Sequence, residues 1–459
     1  MKLFNNILKL LLIFAMIPQV SQAFDFREGG LCYDVNEDGK SVTLTYETLI
    51  LFAHDAPAPV EKGYTGHIVI PEKVEHEGKT YKVTAIGREA FMGNSELYSV
   101  YIPPTVQTIG KGAFMQCRSL KEVILPPDLP VISDYMFAES NLSTINIPNK
   151  VEVIGNSAFS NCYLKSITIP NSVKKIGKSA FSACRWMEKV NLGNSLETIG
   201  EAAFSICTKL SAVSLPASLT EIGPKAFFEC SGIESIVIPA RVSSIGEGVF
   251  SSCHGLNSIK VEKKNKKYNS RNNCNAIIET ATGKLVAGCS GSRIPQSVTE
   301  IGNEAFYGSA GLTAIDIPET VSAIGNQAFF YCKNLKELNI PKSVERIGER
   351  AFCGCDSLET VVIASSVRSI GYGAFLHDDH IKTVTVGGGV TDISAWAFKG
   401  LDSVTSIVSK IEDVSKVKMG KAVFDEIDKA GCTLYVPAGT SAVYKVAPQW
   451  NEFKNIVEQ

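Results

Sequence analysis

Hydrophobic and polar positions follow a unit that repeats about every 23 residues along this chain. Each unit contains two apolar residues separated by one other residue and often followed by proline, as in Ile167-Thr168-Ile169-Pro170. This alternation predicts a short strand with one inward row of side chains. The proline lacks an N–H group and therefore ends the strand. Between strands, apolar residues spaced three to five apart predict a turn of α- or 3₁₀-helix.

A phenylalanine, usually preceded by alanine, marks each unit. Its positions are Phe91, Phe114, Phe137, Phe159, Phe181, Phe204, Phe227, Phe250, Phe306, Phe329, Phe352, Phe375 and Phe398. The intervals are 22 or 23 residues except for one gap of 56. One unit cannot bury its own apolar face, but stacked units share a continuous core. The pattern therefore predicts a repeat solenoid.

Written as one unit, the repeat is L-x-x-I-x-I-P-x-S-V-x-x-I-G-x-x-A-F-x-x-C-x-x. This unit resembles the repeats of the BspA-like leucine-rich repeat family of secreted and surface proteins, over about residues 84–424. The resemblance implies a curved leucine-rich-repeat solenoid with a parallel β-sheet on one face. It also implies a protein of a host-associated bacterium that adheres to host extracellular proteins or to other cells.

The first 23 residues have the pattern of a signal peptide. Lys2 and Lys9 precede an apolar run, Pro18 ends that run, and Ser21-Gln22-Ala23 supplies small residues for cleavage. We therefore predict an exported protein that is secreted, periplasmic or at the cell surface. After signal cleavage, no apolar run reaches the ~20 residues needed to span a membrane as a helix.

Departures from the repeat mark the predicted domain boundaries. The irregular repeat contains two apolar runs around Thr280 to Gly283, which predict a β-hairpin projecting from the solenoid. The C-terminal segment contains Tyr444, Trp450 and Phe453 and resembles the closing unit of the family. The predicted divisions are an N-terminal β cap (24–83), a first repeat block (84–261), an irregular repeat (262–294), a second block (295–408) and a β-rich C-terminal cap (409–459).

Charge and motif content exclude several function classes. The chain has 45 Lys+Arg against 47 Asp+Glu and no basic run, so nucleic acid is not a predicted partner. It contains no zinc-protease motif, nucleophile elbow or dinucleotide fingerprint. We therefore predict a non-enzymatic protein with no catalytic residues, no cofactor and no metal site.

Eight of the 13 cysteines stand three residues after a repeat phenylalanine. They are Cys117, Cys162, Cys184, Cys207, Cys230, Cys253, Cys332 and Cys355. Adjacent coils place them ~4.8 Å apart, whereas disulfides prefer ~3.8 Å between Cβ atoms. This favours buried free thiols, although export favours cross-coil disulfides. Cys274 and Cys289 flank the predicted hairpin and form the candidate disulfide.

The segment His377-Asp378-Asp379-His380 is the one histidine cluster in the chain. It stands where a repeat has its cysteine and the following turn. A metal site is one interpretation of these residue types. The favoured interpretation is a solvated turn, in which polar side chains need no ligand.

With no catalytic motif, function is expected on a surface. The residue between the two apolar strand positions points outward, and this face is our candidate binding surface for an extracellular protein ligand. Its residues are Tyr101, Ile124, Asn146, Thr168, Asn191, Ser214, Val237 and Lys260, followed by Asp316, Asn339, Val362 and Thr385. Tyr101 and Ile124 are its only adjacent bulky residues.

Other surfaces and functions remain open. A basic loop with Lys263, Lys264, Lys266, Lys267 and Arg271 is a second candidate surface. A glycan-binding accessory protein and a periplasmic scaffold are alternative functions. The wide sequence separation of Trp186, Trp396 and Trp450 opposes the glycan alternative, because glycan readers present exposed aromatic rings.

Overall fold

The computed structural model describes residues 24–46 and 63–459. The predicted signal peptide lies outside the described residues. Successive coils of the chain stack so that equivalent strands pair in parallel, as in the pairing of Ser166–Thr168 with Lys189–Asn191. The predicted parallel-sheet solenoid is confirmed. Within the described part of the chain, no helix is long and apolar enough to cross a bilayer.

One side of the solenoid, the long-strand face, is built from the I-x-I segments. Its strands are Gly66–Val69, Leu97–Tyr101, Glu122–Ile124, Ser166–Thr168, Lys189–Asn191, Ser235–Ile238, Ser258–Val261, Ala314–Asp316, Glu337–Asn339, Thr360–Ile363, Thr383–Val386, Ser406–Ser409, Thr433–Val436 and Asn455–Glu458. The last two strands belong to the predicted C-terminal cap and continue the parallel pairing.

A second side, the short-strand face, is built around the isoleucine of each Ile-Gly pair. Its strands are Thr108–Ile109, Val131–Ile132, Val153–Ile154, Lys175–Ile176, Thr198–Ile199, Glu221–Ile222, Ser244–Ile245, Tyr268–Asn269, Ile277–Glu279, Lys284–Ala287, Glu300–Ile301, Ala323–Ile324, Arg346–Ile347, Ser369–Ile370, Asp392–Ile393 and Lys418–Met419. The following glycine allows close stacking, since a Cβ on Gly200 would lie 2.7 Å from the Gly177 carbonyl carbon.

The N-terminal region closes one end with a β-sheet. Its strands are Phe26–Glu28, Leu31–Val35, Ser41–Thr45, Lys73–His76 and Lys79–Ile86. The first three pair antiparallel, and Ser41–Thr45 then pairs in parallel with Lys79–Ile86. The described helical turns are Arg271–Asn273, Val414–Lys416, Ser441–Tyr444 and Trp450–Glu452.

The segment around each repeat phenylalanine, the turn side, differs from the predicted helical turn. Ser179 and Ala183, two residues on either side of Phe181, have φ angles of 54° and 59°. The same two positions have positive φ in most coils. A right-handed helix requires negative φ at every residue, so left-handed residues on both sides of the phenylalanine prevent it. The turn side is therefore a series of hydrogen-bonded turns.

The repeat phenylalanines form two columns of stacked rings in the core. Phe91 to Phe250 stack at centroid distances of 4.9–5.7 Å. Phe306 to Phe424 stack at 5.0–5.9 Å, which extends the series into the predicted C-terminal cap. Trp450 packs edge-on against Phe424 at 4.8 Å and covers the end of the second column.

The irregular repeat lies between the two columns and contains the predicted hairpin. Ile277–Glu279 pairs antiparallel with Lys284–Ala287, which in turn pairs in parallel with Glu300–Ile301. Because these strands belong to the short-strand face and bury Ile277 and Leu285, the prediction that the hairpin projects from the solenoid was wrong. A strand pair with apolar residues on its inner face buries them when it continues the stack, whereas a projecting hairpin would leave them in water.

Gly288 replaces a phenylalanine in this irregular coil. Its N–H donates to the Ala305 carbonyl, the same bond that repeat phenylalanines make to the next coil. A Cβ at position 288 would lie 2.1 Å from Cε1 of Phe306. The missing side chain therefore provides the space in which the first ring of the second column packs.

Candidate binding surfaces

The long-strand face exposes the outward residues that the sequence places there. Side chains of the eight candidate residues from Tyr101 to Lys260 are exposed, as are those of Asp316, Asn339 and Val362, while Thr385 is half-buried. Most of this face is polar. Asn191 donates from its side-chain amide to the Thr168 hydroxyl at 3.2 Å, and such pairs suit a hydrated sheet surface.

The N-terminal end of this face has a different character. Strand register places Val69 beside Tyr101 and Tyr101 beside Ile124. Their side chains are 70%, 39% and 50% exposed. These three residues, the N-terminal apolar row, include Val69, which lies before the repeats and was absent from the predicted face. Exposed apolar side chains in contiguous positions are typical of protein-binding surfaces.

A groove of about 610 Å³ continues from this row. It lies between two neighbouring coils, with Ile124 and Leu125 from one and Ile145 and Asn146 from the other. Glu122, Asp128 and Lys150 also line it and give it mixed charge. Two of the predicted face residues, Ile124 and Asn146, therefore meet at a concave feature that the sequence pattern did not reveal.

The basic loop is exposed but partly engaged within the protein. Lys267 Nζ lies 2.6 Å from Glu279 Oε1 on the hairpin. The Asn265 amide donates to the carbonyls of Pro239 and Val242, both at 2.9 Å. These contacts fix the loop against the preceding coil. The side chains of Lys263, Lys264, Lys266 and Arg271 remain exposed.

The eight repeat cysteines are buried free thiols, in agreement with the argument from coil spacing. Each Sγ donates to the carbonyl of the phenylalanine one coil earlier at 2.9–3.2 Å, as Cys207 does to Phe181. Burial raises the pKa of Cys207 to about 12. The thiol proton is thus retained as a hydrogen-bond donor, and these residues are structural.

Cys274 and Cys289 are also buried thiols in the structure. Cys289 Sγ donates to the Asn275 carbonyl at 3.3 Å, and Cys274 Sγ to the Ala276 carbonyl at 3.7 Å. Burial chiefly raises the pKa of Cys274, and the nearby Cys289 raises it further. Both thiols are free in the structure, and their disulfide stays a prediction.

The histidine cluster is not a uniformly solvated turn. His377, Asp379 and His380 are exposed, but Asp378 is fully buried. Asp378 occupies the cysteine position of its coil, and its Oδ1 accepts from the Cys355 N–H at 2.6 Å. The solvated-turn interpretation was therefore wrong for Asp378, because its backbone follows the buried repeat path. In the described ranges, no group of three or more His, Cys, Asp or Glu could hold a metal.

The turn side carries an aromatic cluster that the sequence analysis missed. The ring centroid of Tyr307 lies 6.2 Å from that of Phe228 and 4.8 Å from that of Phe330. The ring centroids of Tyr331 and Phe330 are 4.3 Å apart. These four residues form the turn-side aromatic cluster. Phe228 and Tyr331 are about 100 positions apart in the sequence, which conceals the cluster. The Ser252 N–H donates directly to the Tyr307 carbonyl, so the turn side bypasses the irregular repeat and brings the rings together.

Polar groups surround this cluster. Burial raises the pKa of Tyr307, and the negative charges of Glu304 and Glu229 raise it further. Glu304 pairs with Lys225 at 3.2 Å, and Lys333 Nζ lies 5.4 Å from the ring centre of Tyr331. Tyr331 itself is 46% exposed. Aromatic rings beside both donors and acceptors suit a polyhydroxylated ligand.

Solved structures with similar folds include bacterial leucine-rich repeat proteins. A leucine-rich cell surface protein from Faecalibacterium prausnitzii is 28% identical, with 84% of this chain and 94% of that chain covered and a TM-score of 0.64. A leucine-rich repeat protein from Bacteroides ovatus is 25% identical over 87% and 100% of the two chains, with a TM-score of 0.55. The pneumococcal vaccine antigen PcpA shares the fold at 20% identity, with 95% and 98% covered and a TM-score of 0.58.

The comparison with curated proteins finds no match. The family model for the BspA type leucine-rich repeat region, in six copies, matches residues 80–187, 152–278 and 288–408. These ranges include both phenylalanine columns up to Phe398 and most strands of the two strand faces. The chain therefore belongs to the BspA-type leucine-rich repeat family.

Proposed function

We propose that the protein is a non-enzymatic, secreted or cell-surface protein that adheres to an extracellular host protein or to other cells. The observation that supports this proposal is the N-terminal apolar row of Val69, Tyr101 and Ile124 beside a groove on an otherwise polar face. Exposed apolar rows seldom occur on a surface that has no partner. Family membership and the described cell surface protein from Faecalibacterium prausnitzii support the same role.

The test begins with binding of the purified protein to arrays of extracellular matrix proteins. For a protein ligand found in this way, the double variant Tyr101→Glu/Ile124→Glu is expected to bind at least about tenfold more weakly, since buried aromatic anchors dominate interfaces. Val362→Glu is the matched control, because Val362 is 51% exposed on the same face near the opposite end. Equal losses for both variants would contradict the placement of the site.

Location at the cell surface has its own test. A membrane-impermeant amine reagent should label the exposed lysines of the protein on intact cells, including Lys263 and Lys264. Labelling only after cell disruption would support the periplasmic scaffold instead. Such an outcome would remove the adhesion proposal, because an adhesin must be accessible from outside.

The turn-side aromatic cluster favours a second candidate function, saccharide binding. Its rings lie next to Glu229 and Lys333, which supply an acceptor and a donor for hydroxyl groups. Polysaccharide arrays test this function, and Tyr331→Ala is expected to abolish any selective binding. Tyr163→Ala is the control, because Tyr163 is 53% exposed at a distant coil outside this cluster. Protein binding without saccharide binding would favour the first function.

A further inference from the structure

The long-strand face is interrupted at residues 144–147. Glu122–Ile124 pairs with the strand before it, and the next paired strand in the chain is Ser166–Thr168, so the intervening coil contributes no strand. In the paired coils on either side of this segment, the carbonyl of the outward residue accepts a bond from the preceding coil. Ile102 N–H donates to the Ile124 carbonyl at 3.0 Å, and Ile169 N–H to the Asn191 carbonyl at 2.8 Å.

The equivalent bond at the interruption would join Leu125 N–H to the Asn146 carbonyl. In the described part of the chain, neither this bond nor its counterpart from Ile147 N–H to the Thr168 carbonyl forms. Asn146 is exposed and Ile145 is only half-buried, although Ile145 occupies an inward position. Main-chain donors and acceptors of a strand-like segment thus lack protein partners on the wall of the groove.

These features suit one kind of ligand. A segment with unpaired N–H and C=O groups binds an extended peptide by adding it as a strand, and adjacent pockets receive its alternate side chains. The groove provides space of about 610 Å³, and Ile124 joins it to the N-terminal apolar row. Glu122, Asp128 and Lys150 on its walls match a peptide with charges of both signs.

We propose that residues 144–147 bind an extended peptide segment of the protein ligand through main-chain hydrogen bonds, with its apolar side chains against Ile124 and Tyr101. This inference rests on the proposed adhesion function and specifies the chemistry of the partner. An extended segment is required, because a folded partner without an accessible strand edge has no free main-chain groups to offer.

The probe is a displayed library of random 12-residue peptides, selected on the full mature chain. Selected peptides are expected to alternate apolar and polar residues, and methylation of their backbone nitrogens should weaken binding at least tenfold. Hydrogen exchange at residues 144–147 should slow when the peptide binds. Failure to select any peptide, or binding that backbone methylation leaves unchanged, would overturn the proposal.

Proline substitution tests the main-chain bonds in the protein itself. Asn146→Pro removes one amide donor that has no partner in the fold, and it should weaken peptide binding at least tenfold. Asn146→Ala keeps that donor and should stay within twofold. Ser214→Pro is the matched control, because Ser214 is the equivalent residue of another coil that contributes no strand, although its Ala212 forms an isolated bridge to Lys189, and it lies away from the groove. Similar losses for the two proline variants would contradict the site.

The outcomes distinguish this inference from the adhesion function. If the Tyr101→Glu/Ile124→Glu variant loses binding of the whole ligand while Asn146→Pro binds it fully, the adhesion function is retained and strand addition is excluded. Saccharide binding in the groove without peptide binding would overturn the inference as well. If the double variant binds normally while Asn146→Pro binds weakly, the peptide site is supported and the N-terminal apolar row is not part of the interface.

Discussion

At the scale of single residues, the repeat position three after the phenylalanine is a buried donor site in most coils. Cysteine satisfies it with a thiol that donates to the carbonyl of the previous coil, as Cys355 does to Phe329 at 3.2 Å. Ser140 occupies the same position and contacts Cys162 Sγ at 3.4 Å. A small side chain that can hydrogen-bond thus fits this position in these coils, which explains cysteine use without any redox chemistry.

Asp378 departs from this rule and predicts a pH-dependent stability. Burial raises the pKa of its carboxyl well above the ordinary value, and Oδ2 has no partner. The folded protein therefore retains a proton that the unfolded chain loses above about pH 4. Stability is then fully present below that pH and falls as pH rises toward the folded-state pKa.

Asp378→Asn removes this titration while it keeps an acceptor for the Cys355 N–H. We expect the variant to be about 1–3 kcal/mol more stable than the parent at pH 7 and to lose that advantage near pH 4. Chemical unfolding at both pH values measures the difference. Asp316→Asn on the exposed face is the control, and a pH-independent effect of Asp378→Asn would contradict the prediction.

At the scale of elements, the irregular repeat connects the two repeat blocks through the short-strand face. Its hairpin supplies two strands where a regular coil supplies one, and Gly288 leaves room for the Phe306 ring. The turn side continues directly from Ser252 to Tyr307. The extra residues in the gap of 56 therefore do not extend the turn side of the solenoid.

Gly288→Ala is expected to destabilise the second block. The new Cβ would lie within 2.1–2.7 Å of three Phe306 ring atoms, and overpacking of this kind costs about 1–3 kcal/mol. Denaturant unfolding provides the measurement. In the double variant with Phe306→Leu, the cost of Gly288→Ala should shrink, because a smaller side chain relieves the clash. Additive effects of the two changes would contradict this packing account.

The Cys274–Cys289 disulfide is a prediction for the same element. In protein exported to an oxidising compartment, mass spectrometry under non-reducing conditions should recover one peptide pair that links these residues. The eight repeat cysteines should become alkylated only after unfolding, because they are buried. Free alkylation of Cys274 and Cys289 in unfolded, unreduced protein would exclude the bond.

At the scale of the whole molecule, the core consists of two units. Buried apolar side chains form two clusters that divide at the irregular repeat, and the phenylalanine stacking is interrupted between Phe250 and Phe306. In a solenoid each coil contacts only its neighbours, so an interruption of the core between two coils limits the cooperativity of unfolding. We expect the two blocks to unfold as separable units.

Matched core substitutions test this division. Ile199→Ala and Ile347→Ala each remove a fully or almost fully buried side chain from a regular coil, at a cost of about 2–5 kcal/mol. Hydrogen exchange should accelerate in the first block for Ile199→Ala and in the second block for Ile347→Ala. A uniform acceleration along the chain in either variant would show one cooperative unit.

The sequence by itself determined the solenoid, because a 23-residue period with inward apolar positions has no other way to bury its core. It also determined the outward residues of the strand face and the buried state of the repeat cysteines, since both follow from period and spacing. These conclusions depend on local geometry that repeats coil by coil.

Only the tertiary structure decided the features that depend on the stacking of particular coils. The left-handed residues beside Phe181, the inclusion of the hairpin in a sheet and the burial of Asp378 follow from backbone paths that residue types do not specify. The groove at Asn146 and the cluster around Tyr307 join residues of different coils. Their position depends on where strand pairing fails and where a coil is bypassed, and both are decided by packing between coils.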